Sequence, residues 1–386
     1  MKILIAIDSF KGCLTSIEAG TAIKEGILRT ISDAEIVIKQ VSDGGEGMTD
    51  VLMDIFDCKP VSVTVSDPLL RKINAVYGFN AERRLAVMEM AAAAGLPLLE
   101  ESERNPLRTT TFGVGEMIKD AISRNAREFY IGIGGSATND GGIGMLQALG
   151  FKILDSTGEA ISPCGEGLKN IAHIDASTAM SELKDCHFNI ACDVRNPLCG
   201  ETGCSAVFGP QKGLSESDIK IMDGWLAAYA DVAGQIFPES DKDYPGSGAA
   251  GGLGFAFMTF LDGKLFSGVD LVMDAQRLEE EIKMADFIVT GEGCLDAQSL
   301  MGKITGGIAA VAGKYGKPVI AFAGMIKDED QLVGHGIAEM YPVTPETMTL
   351  TEAMKPEIAK INLATTAEQV FKKKIQSVLG EYVTCN

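Results

Sequence analysis

A parallel α/β domain split by an insertion is the fold class that this 386-residue sequence predicts. Three observations carry it. Apolar runs followed by turn residues and amphipathic stretches recur at both ends of the chain. Mixed strands lie between them, including a pair that alternates with period two, as a sheet with one wet face does. Gly makes up 44 of 386 residues, or 11%, against a usual ~7%, and the glycines cluster where strands give way to helices.

In chain order, KILIAID (2–8) reads as a buried strand and 16–30 as the helix after it. EIVIKQV (35–41) is a second strand and 46–57 a second helix. Residues 61–80 alternate as an antiparallel hairpin, 85–91 is a strand, 110–124 a helix, 127–134 a strand and 140–149 a helix. HFNIACD (187–193) is a strand. The long amphipathic stretch 215–237 is a helix carrying the lone Trp225 on its apolar stripe, and 238–248 is a polar break with Pro and Gly. The last third reads as strand then loop over 285–293, helix 301–315, strand 317–324, a shorter strand 338–344 and a closing helix 364–379.

Length at roughly 150 residues per domain predicts two to three domains, with core enough to fold without disulfide or metal staples. Lys+Arg 34 minus Asp+Glu 53 gives −19. That balance excludes nucleic acid and anionic membranes as main partners, while a local nest of backbone N–H groups still binds phosphate inside an acidic protein. MKILIAIDSF reads as a strand rather than a signal peptide, and no uninterrupted apolar stretch reaches ~18 residues. Nine scattered cysteines fit reduced thiols, so a cytoplasmic location is expected. Cys192, Cys199 and Cys204 lack the spacing of a zinc site, and the three histidines, His173, His187 and His335, stand outside the glycine loops.

Four glycine-rich loops follow strands and precede helices, the position where open α/β sheets bind ligands. In GIGGSATNDGG (132–142), Gly134 and Gly135 turn N–H groups toward one point. Ser136, Thr138 and Asn139 add side-chain donors, and a helix N-terminus near 140 adds a positive dipole end; the combination suits phosphate. Gly132-x-Gly134-x-x-Ala137, with Asp155 downstream, also fits a dinucleotide fingerprint. IDSFKG (7–12) places Asp8 at a strand end and Lys11 where a mobile point charge clamps a carboxylate or phosphate. SDGGEG (42–47) sets Asp43 and Glu46 on a glycine turn, carboxylates of the kind Mg²⁺ takes together with water and phosphate. TGEGCLDAQSLMGK (290–303) brings Glu292, Asp296, Ser299 and Lys303 after a buried strand, without the spacing of a P-loop. CDVRNPL (192–198) puts Asp193 at a strand end, placed to take a proton from a hydroxyl. GPQKG (209–213) and GSGAAGGLG (246–254) read as loops rich in N–H groups, the first with Lys212, the second also readable as hinge or packing glycine.

DSFKG, SDGGEG, GGSATNDGG, CDVRNPL, FGPQKG, GAAGGLG and TGEG…D…GK, in that order, resemble the bacterial glycerate kinase family, the type without a P-loop. Cys294 and Ala297 depart from the pattern, where the resemblance leads us to expect Arg and a small polar residue or Gly. The resemblance implies a flavodoxin/Rossmann-like parallel-sheet domain, residues 1–65 and 285–386, with a second mixed α/β domain, 66–284, inserted into it and a cleft between them. The boundaries are drawn no more finely than ten residues. It further implies ATP-dependent phosphorylation of D-glycerate, with 2-phosphoglycerate the favoured product and 3-phosphoglycerate the other; Mg²⁺ is the expected metal, and monomer and homodimer both stay open. On this basis Gly134, Gly135, Ser136, Thr138, Asn139, Gly291, Lys212 and Lys303 are expected to hold ATP and Asp43 or Asp296 the metal. Lys11 is expected to bind the glycerate carboxylate or the transferring phosphoryl group, and Asp193 to act as base with Asp8 as its competitor. Two other functions fit parts of the sequence: an NAD(P)-dependent oxidoreductase built on Gly132–Ala137, and a non-catalytic phosphate- or sugar-acid-binding protein.

Overall fold

The computed structural model describes residues 1–42, 48–300, 303–327, 329–332 and 335–384. Its strands, in chain order, are β1 (Lys2–Ile5), β2 (Glu35–Ile38), β3 (Lys59–Ser66), β4 (Lys72–Asn80), β5 (Leu85–Glu89), β6 (Glu128–Gly132), β7 (Lys152–Leu154), β8 (His173–Asp175), β9 (His187–Ala191), β10 (Lys264–Phe266), β11 (Phe287–Leu295), β12 (Val319–Ile326) and β13 (Glu339–Pro342). The chain divides into two units, Met1–Val51 with Val269–Asn386, and Leu52–Gly268.

The first unit is a parallel sheet in the order β13-β12-β11-β1-β2. Counted within the unit this is the 2-1-3-4-5 arrangement of flavodoxin-like domains, and its switch point lies between β1 and β11. Period two decides the faces. Ile3, Ile5, Val289, Ile320 and Phe322 join a buried cluster with Ile23 and Ile27 of the helix Ser16–Leu28 and Leu363 and Phe371 of the helix Pro356–Thr384. The helix Ser16–Leu28 starts at a reciprocal cap, in which Thr15 accepts from Glu18 N and Glu18 accepts from Thr15 N. Two expectations for this unit change. The segment TGEGCL continues β11 instead of opening a loop, because β12 extends beside it and pairs as far as Leu295↔Ile326. The closing helix begins at Pro356, eight residues before 364, since Pro is tolerated at a first helical position.

The second unit holds a six-stranded sheet in the order β10-β9-β6-β5-β4-β3. The β10, β9, β6 and β5 strands run parallel, and the β3–β4 hairpin closes one side in antiparallel pairing. Aromatic rings fill its core: Phe129 of β6 stacks on its register partner Phe188 of β9 with ring centres 4.8 Å apart. The helix Glu216–Gly234 is capped by Ser215, which accepts from Asp218 N, and its Trp225 is half-buried against this core. The segment GSGAAGGLG is a turn over 246–248 that enters the helix Ala249–Leu261, which is interrupted by a left-handed stretch at Ala250, Gly251 and Gly252. That stretch lies directly on residues 138–141, where a Cβ on Gly251 would stand 2.1 Å from Thr138 O. Among the described residues no helix is long and apolar enough to cross a membrane.

Two glycines of this unit give opposite expectations. A Cβ on Gly113, where the helix Phe112–Ser123 crosses the hairpin, would stand 1.9 Å from Ser66 O, so Gly113→Ala should destabilise by about 2–4 kcal/mol. Gly224 sits exposed inside the helix Glu216–Gly234 with nothing within 4 Å of its Cβ position, and Gly224→Ala should stabilise by about 0.5–1 kcal/mol. Urea unfolding of both variants checks the pair.

Candidate functional site

Three neighbouring parallel strands of the second unit end together, with Glu89, Gly132 and Ala191 in register across β5, β6 and β9. The segments leaving them are therefore side by side, and backbone bonds fix them there. Leu96 N donates to Gly135 O at 2.9 Å and Ala137 N to Ala94 O at 2.9 Å, while Ile133 N reaches Ala191 O at 3.4 Å. Above these ends lies a cavity of about 260 Å³. Its wall draws on four of the sequence motifs: Gly134, Gly135 and Ser136 from the first, Cys192 and Val194 from the second, Gln211 and Lys212 from the third, and Ala249 and Ala250 from the fourth.

Lys212 binds two of these motifs into one structure. It is 2% exposed, and its Nζ donates to Ser136 Oγ at 2.6 Å and to Thr138 O at 2.6 Å. Burial pulls its ammonium down from the ordinary lysine value to about 8, against the opposing influence of Cys204 and Asp140. Asp140, wholly buried, accepts from Thr111 N (2.7 Å), Thr111 Oγ1 (2.8 Å), Gly142 N (3.1 Å) and Gly144 N (3.3 Å). Burial raises its carboxyl above the usual range in spite of those donors. This network anchors the far end of the glycine-rich turn to the start of the helix Phe112–Ser123. The helix following the turn begins at Ile143, not near 140.

The sequence-designated residues divide accordingly. Gly134, Gly135, Ser136 and Lys212 line the cavity. Thr138 and Asn139 are fully buried behind it, where Asn139 Nδ2 donates to Ser205 Oγ at 2.8 Å while Thr138 Oγ1 and Asn139 Oδ1 meet no partner among the described residues. Asp193 is exposed between the wall residues Cys192 and Val194, and its Oδ1 accepts from Gly268 N at 2.8 Å. Sequence reading did not single out Leu96, Ile133 or Phe208, which complete the wall. Phe208 opens the FGPQKG string, so its neighbourhood was marked although the residue was not.

The dinucleotide fingerprint lacks its structural setting. The strand β7 before Asp155 pairs only with β8, antiparallel, in a separate two-stranded sheet. Asp155 itself closes a surface turn by accepting from Thr157 N and Glu159 N.

In the first unit a second group gathers at the switch point. Asp8, 4% exposed, accepts from Ser9 N at 2.7 Å, and its own N–H donates to Gly291 O at 2.9 Å. Gly291 is thus an interior residue of β11. The exposed Lys11 lies beside Gly293, whose Cβ position would be 3.8 Å from Lys11 N. Lys303 Nζ donates to Glu292 Oε2 at 3.3 Å, and Glu292 Oε1 is buried without a hydrogen-bond partner among the described residues. Asp296 Oδ1 accepts from Ser299 N at 3.2 Å, capping the short turn Ala297–Leu300. Asp43 lies outside the described residues.

The charge on Lys212 has a measurable consequence. Its Nζ is cationic below about pH 8 and neutral above, so affinity for an anion at Gly134–Ser136 should fall as pH rises through 8. Calorimetric titration of tripolyphosphate from pH 7 to 9.5 checks this, and Lys212→Met should bind weakly with no such fall.

Comparison with known proteins identifies the family. The glycerate kinase family matches residues 3–374. The chain is 42% identical to a glycerate kinase of Haemophilus influenzae, covering 96% of this chain and 98% of that one. It is 44% identical to the glycerate 2-kinase of Escherichia coli K12, covering 92% and 93%. The crystal structure of a Salmonella typhimurium LT2 protein assigned as glycerate kinase 2 superposes with a TM-score of 0.85 at 40% identity, over 98% of this chain and 99% of that one. The chain belongs to the glycerate kinase family.

Proposed function

We propose that the chain catalyses ATP-dependent phosphorylation of D-glycerate, with 2-phosphoglycerate the favoured product. The observation that carries this reading is the cavity at the carboxyl ends of β5, β6 and β9, whose wall is drawn from four of the seven family strings. The name of the E. coli relative, a glycerate 2-kinase, favours the 2-hydroxyl; 3-phosphoglycerate is the alternative product.

Phosphoryl transfer asks little covalent chemistry of a protein and much positioning and charge neutralisation. The exposed backbone at Gly134 and Gly135 supplies positive potential for the phosphates, together with Lys212 behind it or, alternatively, Lys303 of the first unit. In a protein of net charge −19 these local groups must act within a Debye length, ~8 Å at physiological salt. Lys11 binds the glycerate carboxylate or the transferring phosphoryl group. Asp193 orients the attacking hydroxyl. As that oxygen bonds to the γ-phosphorus and ADP leaves, the proton passes to the Asp193 carboxylate, a role for which Asp8 competes.

No cluster of three or more metal-binding side chains occurs among the described residues. Mg²⁺ needs none, since it takes one or two carboxylates and fills its shell with water and phosphate. The buried Glu292 Oε1, without a partner among the described residues, is donor chemistry of the right kind, and Asp296 follows the same strand; Asp296, or Asp43 outside the described residues, would hold the ion. When bound, it would neutralise charge on the phosphates.

ATP consumption with D-glycerate, with NMR identification of the phosphorylated carbon, tests the reading. Turnover to 2-phosphoglycerate is expected; binding of both ligands without turnover would leave a non-catalytic binding protein instead. Asp193→Asn should lower kcat by about 10²-fold or more. A near-normal rate in that variant together with a large loss in Asp8→Asn would move the base to Asp8.

A further inference from the structure

The second-unit cavity differs from a plain phosphate site. Leu96, Ile133, Val194 and Phe208 give it apolar walls, no carboxylate lines it, and its one cation already donates two hydrogen bonds into the wall itself. A triphosphate would leave those walls without a use. A small hydroxy acid placed among them would leave its own polar groups unpaired, at a cost. The volume, about 260 Å³, leaves room for one flat ring system.

Two further details point the same way. Ala250, in the wall, is held left-handed at φ +53°, a conformation that glycine adopts at far lower cost. Folding alone would favour glycine there; alanine adds apolar surface at a position that lines the cavity and also packs on the core of the unit. Gln211, exposed at the rim, offers an amide donor and acceptor on one side chain, the pattern needed to pair with the edge of a heteroaromatic base.

We propose that this cavity seats the purine base of the phosphate donor, between Phe208, Val194 and Leu96, with Gln211 reading its edge. The phosphate chain leaves over Gly134 and Gly135, where the Cβ position of Gly134 meets nothing within 4 Å. This assignment rests on the kinase reading but is separable from it, because adenosine carries the base without phosphates.

The experiment compares the wild-type chain with Phe208→Ala, Gln211→Ala and Ala250→Gly by two readouts. In steady-state kinetics, Phe208→Ala should raise KM for ATP by about tenfold and leave KM for D-glycerate within about twofold. Gln211→Ala should change the ratio of kcat/KM for ATP over GTP. Ala250→Gly should raise KM for ATP while the protein stays folded. In calorimetry, adenosine should bind the wild type and be weakened by Phe208→Ala and Ala250→Gly, with tripolyphosphate binding unchanged. A rise in KM for D-glycerate with KM for ATP unmoved, or adenosine binding unaffected by either substitution, would overturn the base seat. Should the wild type turn over no glycerate, the kinase reading fails while the adenosine titration still decides the seat. Should Phe208→Ala fail to fold, the other two variants carry both readouts.

Discussion

A buried ammonium holds the ligand cavity of the second unit together. Taking a lysine out of water is expensive, and Lys212 is stabilised by only two acceptors, Ser136 Oγ and Thr138 O, with the Asp140 carboxylate adding a longer-range attraction. Those bonds tie the FGPQKG segment to a turn some seventy residues away in sequence. The turn itself is shaped by its strand: β6 ends in register with β5 and β9, so its continuation has neighbours on both sides that take its backbone groups. With its far end fixed by the four donors to Asp140, the exposed face left over is Gly134–Gly135. Stability is thus invested in placing a cation behind bare backbone, an arrangement that a protein with no anionic ligand would have little reason to keep.

The first unit shows the same economy in other residues. Its parallel order places the ends of β1 and β11 at the switch point, and polar groups are buried there beyond what packing needs: Asp8, Thr290, Glu292, Ser299 and Thr305. Thr290 Oγ1, Glu292 Oε1 and Thr305 Oγ1 meet no partner among the described residues. Unsatisfied buried oxygens cost free energy and concentrate where a ligand, ion or water supplies the missing bond.

Much of this was legible in the sequence because the periods are strong. The strands at 2–8, 35–41, 127–134 and 187–193 and the helices at 16–30 and 215–237 follow directly from apolar spacing and caps such as Thr15 and Ser215. What could not be read has specific physical causes. The length of β11 depends on β12 beside it, a long-range partner. The direction of a turn is not encoded residue by residue, so Thr138 and Asn139, which look like outward donors, are buried, Asn139 beside Ser205. Leu96, Ile133 and Phe208 resemble ordinary packing residues until three strand ends bring them to one wall. Gly251 and Gly252 of GAAGGLG serve close approach to residues 138–141, a partner that no local pattern announces even where packing glycine is one reading of the string.

The central claim is that distant segments of the second unit form one nucleotide-binding wall. Amide chemical-shift mapping of the isotope-labelled chain, titrated with Mg²⁺-ADP, tests it directly. The account predicts that the amides of Gly134, Gly135, Val194, Gln211 and Ala250 shift together along one saturation curve. Shifts confined to other parts of the chain, with these five unmoved at saturation, would contradict it.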